Sequence, residues 1–133
     1  MRKSLFTLTI AATRKLPLLA VLLTASSANA ETAMEMKSHC TSVAVSQLAP
    51  DGQVRIESSF PAGVCWGAFG ALQNISRFQD GDHRVLYFCP PEESTRLQFI
   101  RVFVKYVDEH PERSHEEWTT IGLNALQAAF PCN

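Results

Sequence analysis

Residues 95–110, with the sequence TRLQFIRVFVKYVDEH, decide the fold class. As a strand, alternate residues would form one apolar face, made of Ile100, Val102, Val104 and Tyr106. As a helix, the polar residues fall at spacings of 3, 4 and 3 in one stripe, made of Gln98, Arg101, Lys105 and Asp108. Sixteen residues is long for a strand and ordinary for a helix. We therefore predict a helix, which its narrow polar stripe requires to be largely buried.

A second helix follows this segment directly. Pro111 ends the first one, because the residue before a proline avoids helical geometry. Residues 114–117 (SHEE) have the pattern of a capping box, with Ser114 at the cap and Glu117 three positions later. Apolar or small residues then recur at helical spacing as far as Pro131, namely Trp118, Ile121, Gly122, Ala125, Leu126 and Ala129. The last helix is therefore predicted to begin after Ser114.

Two more helices are predicted on the N-terminal side. Residues 33–48 are one candidate, and residues 61–78 are the other, since Pro61 suits a first helical turn. In the second candidate, one face at helical spacing comprises Val64, Ala68, Ala71, Leu72 and Ile75. Gly63, Gly67 and Gly70 would let another helix approach closely. A short extended piece is predicted at 53–59, and 77–84 (RFQDGDHR) is a polar turn. The fold class is thus all-α, a small bundle of about four helices.

The first thirty residues predict export. Arg2, Lys3, Arg14 and Lys15 make the leader positive, and 16–25 (LPLLAVLLTA) is an apolar run too short to span a bilayer. Ala28 and Ala30 occupy the small positions that signal peptidase requires. We expect a signal peptide at 1–30 with cleavage after Ala30, and a single domain at 31–133. The predicted location is the periplasm, reached through the Sec pathway, with no membrane attachment after cleavage.

Charge excludes one class of partner. All thirteen Asp and Glu residues lie after Ala30, whereas four of the twelve Lys and Arg residues lie in the leader. The remainder therefore has a net charge near −5. Because phosphate binding depends on clustered cations, a nucleic-acid partner is not expected.

The four cysteines all lie in the predicted mature chain, and an even number in an exported protein predicts disulfides. Three pairings are formally open. The two C-terminal helices should pack antiparallel because their connection is short. Cys89 precedes the first and Cys132 follows the second, so both lie at the open end of this hairpin. The layout favours Cys89 with Cys132, which leaves Cys40 with Cys65.

Several short motifs resemble the Rap/Tai-type immunity proteins of type VI secretion. They are Cys65-Trp66-Gly67, Phe88-Cys89-Pro90-Pro91, residues 105–112 (KYVDEHPE) and residues 125–132 (ALQAAFPC). The resemblance covers about residues 65–132, and the C-terminal motif is its most specific part. It implies a small periplasmic helical protein with a disulfide between Cys89 and Cys132. It also implies binding to a peptidoglycan amidase effector, often as a homodimer.

This resemblance gives the favoured hypothesis, a non-enzymatic protein that blocks a secreted cell-wall amidase. Candidate surfaces are the loop at 77–84 and the turn at 110–115. In the loop, Asp80, Asp82, His83 and Arg84 could meet a Cys–His active site electrostatically. One alternative is a periplasmic stress chaperone that loosens as its carboxylates protonate at low pH. Another is an orphan member of the family with no toxin target.

No catalytic residue, cofactor or metal site is predicted. The sequence contains no Gly-x-Ser-x-Gly nucleophile motif. The acidic residues and histidines between Asp108 and Glu117 do not have the HExxH spacing, and caps and a solvated connection explain them better.

Overall fold

The computed structural model describes residues 30–132, which form four α-helices and one short hairpin. The helices are α1 (Ala33–Ala44), α2 (Phe60–Ile75), α3 (Arg96–Glu109) and α4 (Trp118–Ala129), with a 3₁₀ helix (Pro111–Arg113) before α4. Two antiparallel strands, β1 (Gln79–Asp80) and β2 (His83–Arg84), lie between α2 and α3. The predicted all-α, four-helix fold is confirmed. The predicted signal peptide, apart from Ala30, lies outside the described residues.

Helix α3 packs against all three other helices, α1, α2 and α4. Its buried residues are Leu97, Phe99, Ile100, Phe103 and Val107, and all four residues of the predicted polar stripe are exposed. Thr95 begins the helix in a capping box with Gln98. The helical interpretation of residues 95–110, including its extensive burial, is therefore confirmed.

Helix α1 is shorter than predicted. Thr32 and Glu35 form a capping box at its start, and Met36, Cys40 and Val43 form its buried face. It ends at Ala44 instead of Leu48. The predicted extended piece at 53–59 is reduced to an isolated bridge between Leu48 and Val54.

The buried face of α2 differs from the prediction. Its buried residues include Cys65, Phe69 and Leu72, whereas Ala71 and Ile75 are exposed. The residues of this helix are apolar nearly all round, so their periodicity does not select one face. Two contacts do: Cys65 is bonded to Cys40 of α1, and the Phe69 ring lies 5.2 Å from that of Phe103 in α3.

The glycines of α2 do not mark a close approach of another helix backbone. A Cβ added at Gly63 or Gly67 would have nothing within 4 Å. At Gly70, the space is filled by the Arg96 side chain, whose Cζ would lie 2.7 Å from such a Cβ. The predicted close approach of a neighbouring helix is therefore wrong, and one arginine side chain takes its place at Gly70.

The predicted capping box at Ser114 is also wrong. Pro111 initiates the 3₁₀ helix, and Ser114 ends it by donating its hydroxyl to the Pro111 carbonyl. Helix α4 begins later, at Trp118, with Glu117 at the cap and no capping side chain. Its first N–H is bound instead by the Glu31 carbonyl, 3.0 Å away, beside a bridge between Thr32 and Glu117. The segment that precedes α1 therefore caps α4.

Two disulfides hold the bundle together. Cys40 is bonded to Cys65, which joins α1 to α2, and Cys89 is bonded to Cys132, which joins the segment before α3 to the end of α4. These are the pairings that the helix layout favours. The Cys89 N–H also donates to the Phe130 carbonyl at 2.8 Å. The position of the chain just after the hairpin is thus fixed against the C-terminal end of α4.

Candidate functional site

The four residues predicted to bind a partner lie together on the hairpin. Asp80 pairs with His83, and Gln79 pairs with Arg84. Gly81 occupies the turn with a φ of 59°, a conformation that favours glycine. Asp80, Asp82 and His83 are exposed and Arg84 is half-buried. The polar loop is therefore an ordered two-stranded feature, which the sequence did not predict.

The base of the hairpin is tied to the helical body. The Arg84 guanidinium donates to the Ser76 carbonyl at the end of α2, at 3.2 Å. Ser76 is buried, and its hydroxyl donates to the Gln73 carbonyl. A further hydrogen bond joins the Val85 N–H to the Phe78 carbonyl at 3.2 Å. With the nearby disulfide at Cys89, these bonds give the projecting residues a fixed base.

Large apolar side chains flank the hairpin in sequence and are exposed to solvent. Phe78 is 62% exposed, Val85 45% and Tyr87 73%. We call these three residues the hairpin patch. Isolated exposed apolar residues are ordinary, but a group of them on one projecting feature is typical of a protein-binding surface. Residues 85–88 (VLYF) form one apolar run in the sequence, so the exposure of Val85 and Tyr87 was not predicted.

Tyr87 has an uncommon backbone conformation. Its φ is 55°, the one positive φ of a non-glycine residue in the described part of the chain. The left-handed region costs an ordinary residue roughly 1–2 kcal/mol relative to the right-handed helical region. Because the side chain is largely exposed, burial in the core does not offset this cost. Strained backbone positions cluster at functional sites, so an exposed tyrosine ring at such a position is a candidate binding residue.

Two depressions border the hairpin. The first, which we call the arginine cavity, has a volume of about 430 Å³ and is lined by Gln73, Ser76, Arg77, Arg84, Pro90, Pro91, Glu92, Ser94 and Phe99. The second, the cystine depression, has a volume of about 240 Å³ and is lined by Gln79, Asp82, His83, Arg84, Tyr87, Cys89 and Cys132. Arg84 lines both. Three of the four predicted binding residues thus border the cystine depression, and Asp80 does not.

The second predicted surface, the turn at 110–115, is bound mainly to its own neighbours. The Tyr106 and His110 rings stack with centroids 4.0 Å apart, and the Arg113 guanidinium donates to both Glu116 carboxylate oxygens and to the Tyr106 hydroxyl. The Arg113 hydrogen bonds hold the pKa of the Glu116 carboxyl below its ordinary value of 4.5. These contacts give the turn a structural role in joining α3 to α4.

Residues 30–132 contain no group of three or more His, Cys, Asp or Glu side chains arranged to hold a metal ion. His39, next to Cys40 in sequence, lies with Nε2 2.9 Å from Glu31 Oε1, while Cys40 is bonded to Cys65. The exposed hairpin with its tied base is therefore the candidate surface for contact with another protein.

Comparison with known proteins supports this view. A family model for Rap1a immunity proteins matches residues 29–132, nearly the whole of the predicted mature chain. The chain belongs to the Rap1a immunity protein family. No curated protein and no solved structure matches it significantly. Membership of the Rap1a family implies that the chain binds a secreted effector protein, and such proteins are generally not enzymes.

The match extends well beyond the residues that carried the resemblance. It begins at residue 29 and so includes α1 and the Cys40–Cys65 disulfide, whereas the quoted motifs began at Cys65. Within the described part of this Rap1a-family chain, no helix is both long and apolar enough to cross a membrane. The two disulfides are consistent with an oxidising compartment outside the cytoplasm.

Proposed function

We propose that this protein is a periplasmic immunity protein that binds and inhibits a peptidoglycan amidase effector of type VI secretion. Its hairpin covers the active site of the effector. The observation that carries this proposal is the hairpin patch, a group of exposed apolar side chains beside charged ones on a firmly held projection. Membership of an immunity family supplies the class of partner.

The hairpin patch has the composition of a strong binding surface. A few aromatic residues carry most of the binding energy in many protein interfaces, and tyrosine is enriched among them. Tyr87 and Phe78 are the aromatic members of the patch and are both more than half exposed. On binding, each would bury its ring against the effector, with the polar turn around them forming the rim.

The ties at the base of the hairpin reduce the cost of binding. Ordering a loose loop at an interface reduces affinity, because the lost side-chain and backbone freedom opposes association. Here the Arg84–Ser76 hydrogen bond and the Cys89–Cys132 disulfide order the base of the hairpin before the partner arrives. The effector then meets a nearly preformed surface.

The charged residues of the turn fit an amidase that uses a cysteine and a histidine. Asp80 and Asp82 are exposed at the turn, where carboxylates would attract a protonated active-site histidine. Inhibition follows if the hairpin also excludes the peptidoglycan substrate from the active-site cleft of the amidase. Electrostatic attraction of this kind mainly speeds association and selects the partner.

The test uses purified candidate amidases, beginning with one encoded beside this gene, and measures affinity by calorimetry and inhibition by peptidoglycan hydrolysis. We expect Tyr87→Ala and Phe78→Ala each to weaken binding by at least roughly tenfold, which corresponds to about 1.4 kcal/mol. Phe60→Ala is the matched control, because Phe60 is 81% exposed but lies at the other end of α2 from the hairpin.

The three variants distinguish binding through the hairpin patch from non-specific binding by any exposed apolar residue. The proposal fails if Phe60→Ala weakens binding as much as Tyr87→Ala does. It also fails if an amidase that binds tightly remains fully active in the complex, because binding without inhibition would not protect a cell wall.

A further inference from the structure

We infer that the arginine cavity receives an acidic side chain from an extended segment of the partner protein. The segment lies along the hairpin, across the arginine cavity and the cystine depression. This inference rests on the proposed function in taking a protein as the ligand. It adds the chemistry of the residue that the partner must supply.

The cationic side chains of the arginine cavity have no anionic partner among residues 30–132. Four ion pairs form among the described residues, and neither Arg77 nor Arg84 takes part in any of them. One hydrogen bond of Arg84 goes to the Ser76 carbonyl, and no other group in the described part of the chain accepts a hydrogen bond from its guanidinium. Two unpaired arginines beside one cavity favour a ligand with negative charge, since Arg binds carboxylates in a forked geometry.

The residues that line the arginine cavity carry a net positive charge. Glu92 is the one carboxylate among the lining residues, against the two arginines. Glu92 and Arg77 are both exposed, so solvent screens both charges, whereas the half-buried Arg84 is screened less. The chain as a whole carries an excess of acidic residues after Ala30, so this cationic site is a local exception.

A neutral residue of the lining, Ser94, adds a hydrogen-bond donor to the two arginines. Ser94 is one of the lining residues, and its hydroxyl is buried with no hydrogen-bond partner among the described residues. The backbone of Ser94 is held in place, because the Gln73 side-chain amide donates to its carbonyl at 2.9 Å. A carboxylate only accepts hydrogen bonds and so complements both a hydroxyl and the two guanidinium groups.

The shape of the surface favours a protein segment over a free anion. Arg84 lines both depressions, so the arginine cavity and the cystine depression lie on either side of one side chain. An extended chain points alternate side chains to the same side, and it could therefore place one residue in each depression. Tyr87 borders the second depression and is largely exposed, which gives the segment an aromatic ring to pack against.

The test is an NMR titration of the ¹⁵N-labelled, oxidised protein with two short peptides. One is N-acetyl-Ala-Glu-Ala-amide, and the other has Gln in place of Glu, which has nearly the same size but no charge. We expect saturable shifts of the Ser94 and Gln73 signals with the Glu peptide. The Gln peptide should bind at least roughly tenfold more weakly, because it loses the charge-assisted hydrogen bonds.

Three variants locate the site. Arg77→Ala should weaken Glu-peptide binding by about fivefold or more, and Glu92→Gln should strengthen it by about twofold, because the first removes attraction and the second removes repulsion. Arg55→Ala is the matched control, since Arg55 is exposed and precedes α2 at the end remote from the cavity. Arg84 is left intact because it also ties the hairpin to Ser76.

Each contrary result has a definite meaning. Equal binding of the Glu and Gln peptides, or equal effects of Arg77→Ala and Arg55→Ala, would overturn the inference. Acetate or inorganic phosphate binding at Ser94 as tightly as the Glu peptide would overturn the assignment to a protein segment and indicate a free-anion site. These titrations contain no effector, so failure to inhibit an amidase would count against the proposed function alone.

Discussion

Two glycines of α2, Gly67 and Gly70, lie close together in sequence but have different surroundings. Gly67 has open space where a Cβ would be added, so Gly67→Ala should stabilise the protein by about 0.5–1 kcal/mol through helix propensity. At Gly70, a Cβ would displace Arg96, whose guanidinium stacks 4.6 Å from the Trp66 ring centre. Losing this stacking would cost about 0.5–1 kcal/mol and so offset the gain in helix propensity. Gly70→Ala should therefore leave the stability nearly unchanged or lower it.

Urea unfolding of the two glycine variants and the parent protein measures this difference. The expected order of stability places Gly67→Ala first. If Gly70→Ala stabilises the protein equally, then the Arg96 side chain moves aside without cost, and its stacking on Trp66 contributes nothing to the free energy of unfolding.

The carboxyl of Glu116 should make stability depend on pH. Hydrogen bonds from Arg113 lower its pKa in the folded protein below the ordinary value of 4.5. Its stabilising contribution is therefore present above about pH 4.5 and is lost as the pH falls through the folded pKa. We expect Glu116→Gln to lower Tm at pH 6, and this difference from the parent protein should shrink at pH 3.

Glu112→Gln is the control, since Glu112 is a nearby exposed carboxylate with no hydrogen bond from a described side chain. A Tm difference for Glu116→Gln that stays constant between pH 6 and pH 3 would contradict the assignment. The acid-chaperone alternative requires more than this loss of stability: the protein must also suppress the aggregation of a client protein near pH 3.

Among the elements, the starts of α3 and α4 show how far local sequence determines a helix boundary. The Thr95 hydroxyl accepts from the Gln98 N–H at 3.2 Å, so Thr95→Ala should cost about 1 kcal/mol of stability. Ser114→Ala should cost less than about half of that, because Ser114 is not a helix N-cap and only closes the 3₁₀ turn. Guanidinium unfolding of both variants measures the two losses of stability. Equal losses would support the capping role first predicted for Ser114.

These elements also show which features the sequence could predict. Helix α3 was predictable because its polar stripe leaves a single orientation that buries the apolar residues. The start of α4 was not, because its first N–H is bound by Glu31, more than eighty positions away. The buried face of α2 was equally hidden, since only the tertiary contacts of Cys65 and Phe69 choose among its apolar sides.

The candidate site was predictable only in part. The Asp80-Gly81-Asp82 turn and its charged neighbours are visible in the sequence as a polar interruption between helices. The hairpin patch is not, because an apolar residue near a turn gives no local sign of whether it packs inward. Phe88 is fully buried while Tyr87, its neighbour, is 73% exposed, and only the assembled fold distinguishes them.

In the whole molecule, the two disulfides should differ in their resistance to reduction. Cys40 and Cys65 are both fully buried, whereas Cys132 is exposed. Because a reductant must reach a sulfur atom, the Cys89–Cys132 bond should open first at low dithiothreitol concentrations. Its loss should lower stability by roughly 4 kcal/mol on the chain-entropy estimate.

Timed alkylation followed by peptide mass spectrometry determines the order of reduction. Labelling of Cys40 before Cys132 would contradict the predicted accessibility. The variant pair Cys89→Ser/Cys132→Ser gives an independent check, since it should reproduce the Tm of the partly reduced protein.

The position of Cys132 has a practical consequence for work with this protein. Helix α4 has twelve residues and is therefore about 18 Å long, with Trp118 bonded to Glu31 at one end and Cys132 just beyond the other. Cys132 also borders the cystine depression. An affinity tag at the Cys132 end of α4 would therefore lie beside the surface proposed to bind the effector and would mask it in a pull-down. A tag joined next to Glu31 would lie near the opposite end of α4 and leave that surface accessible.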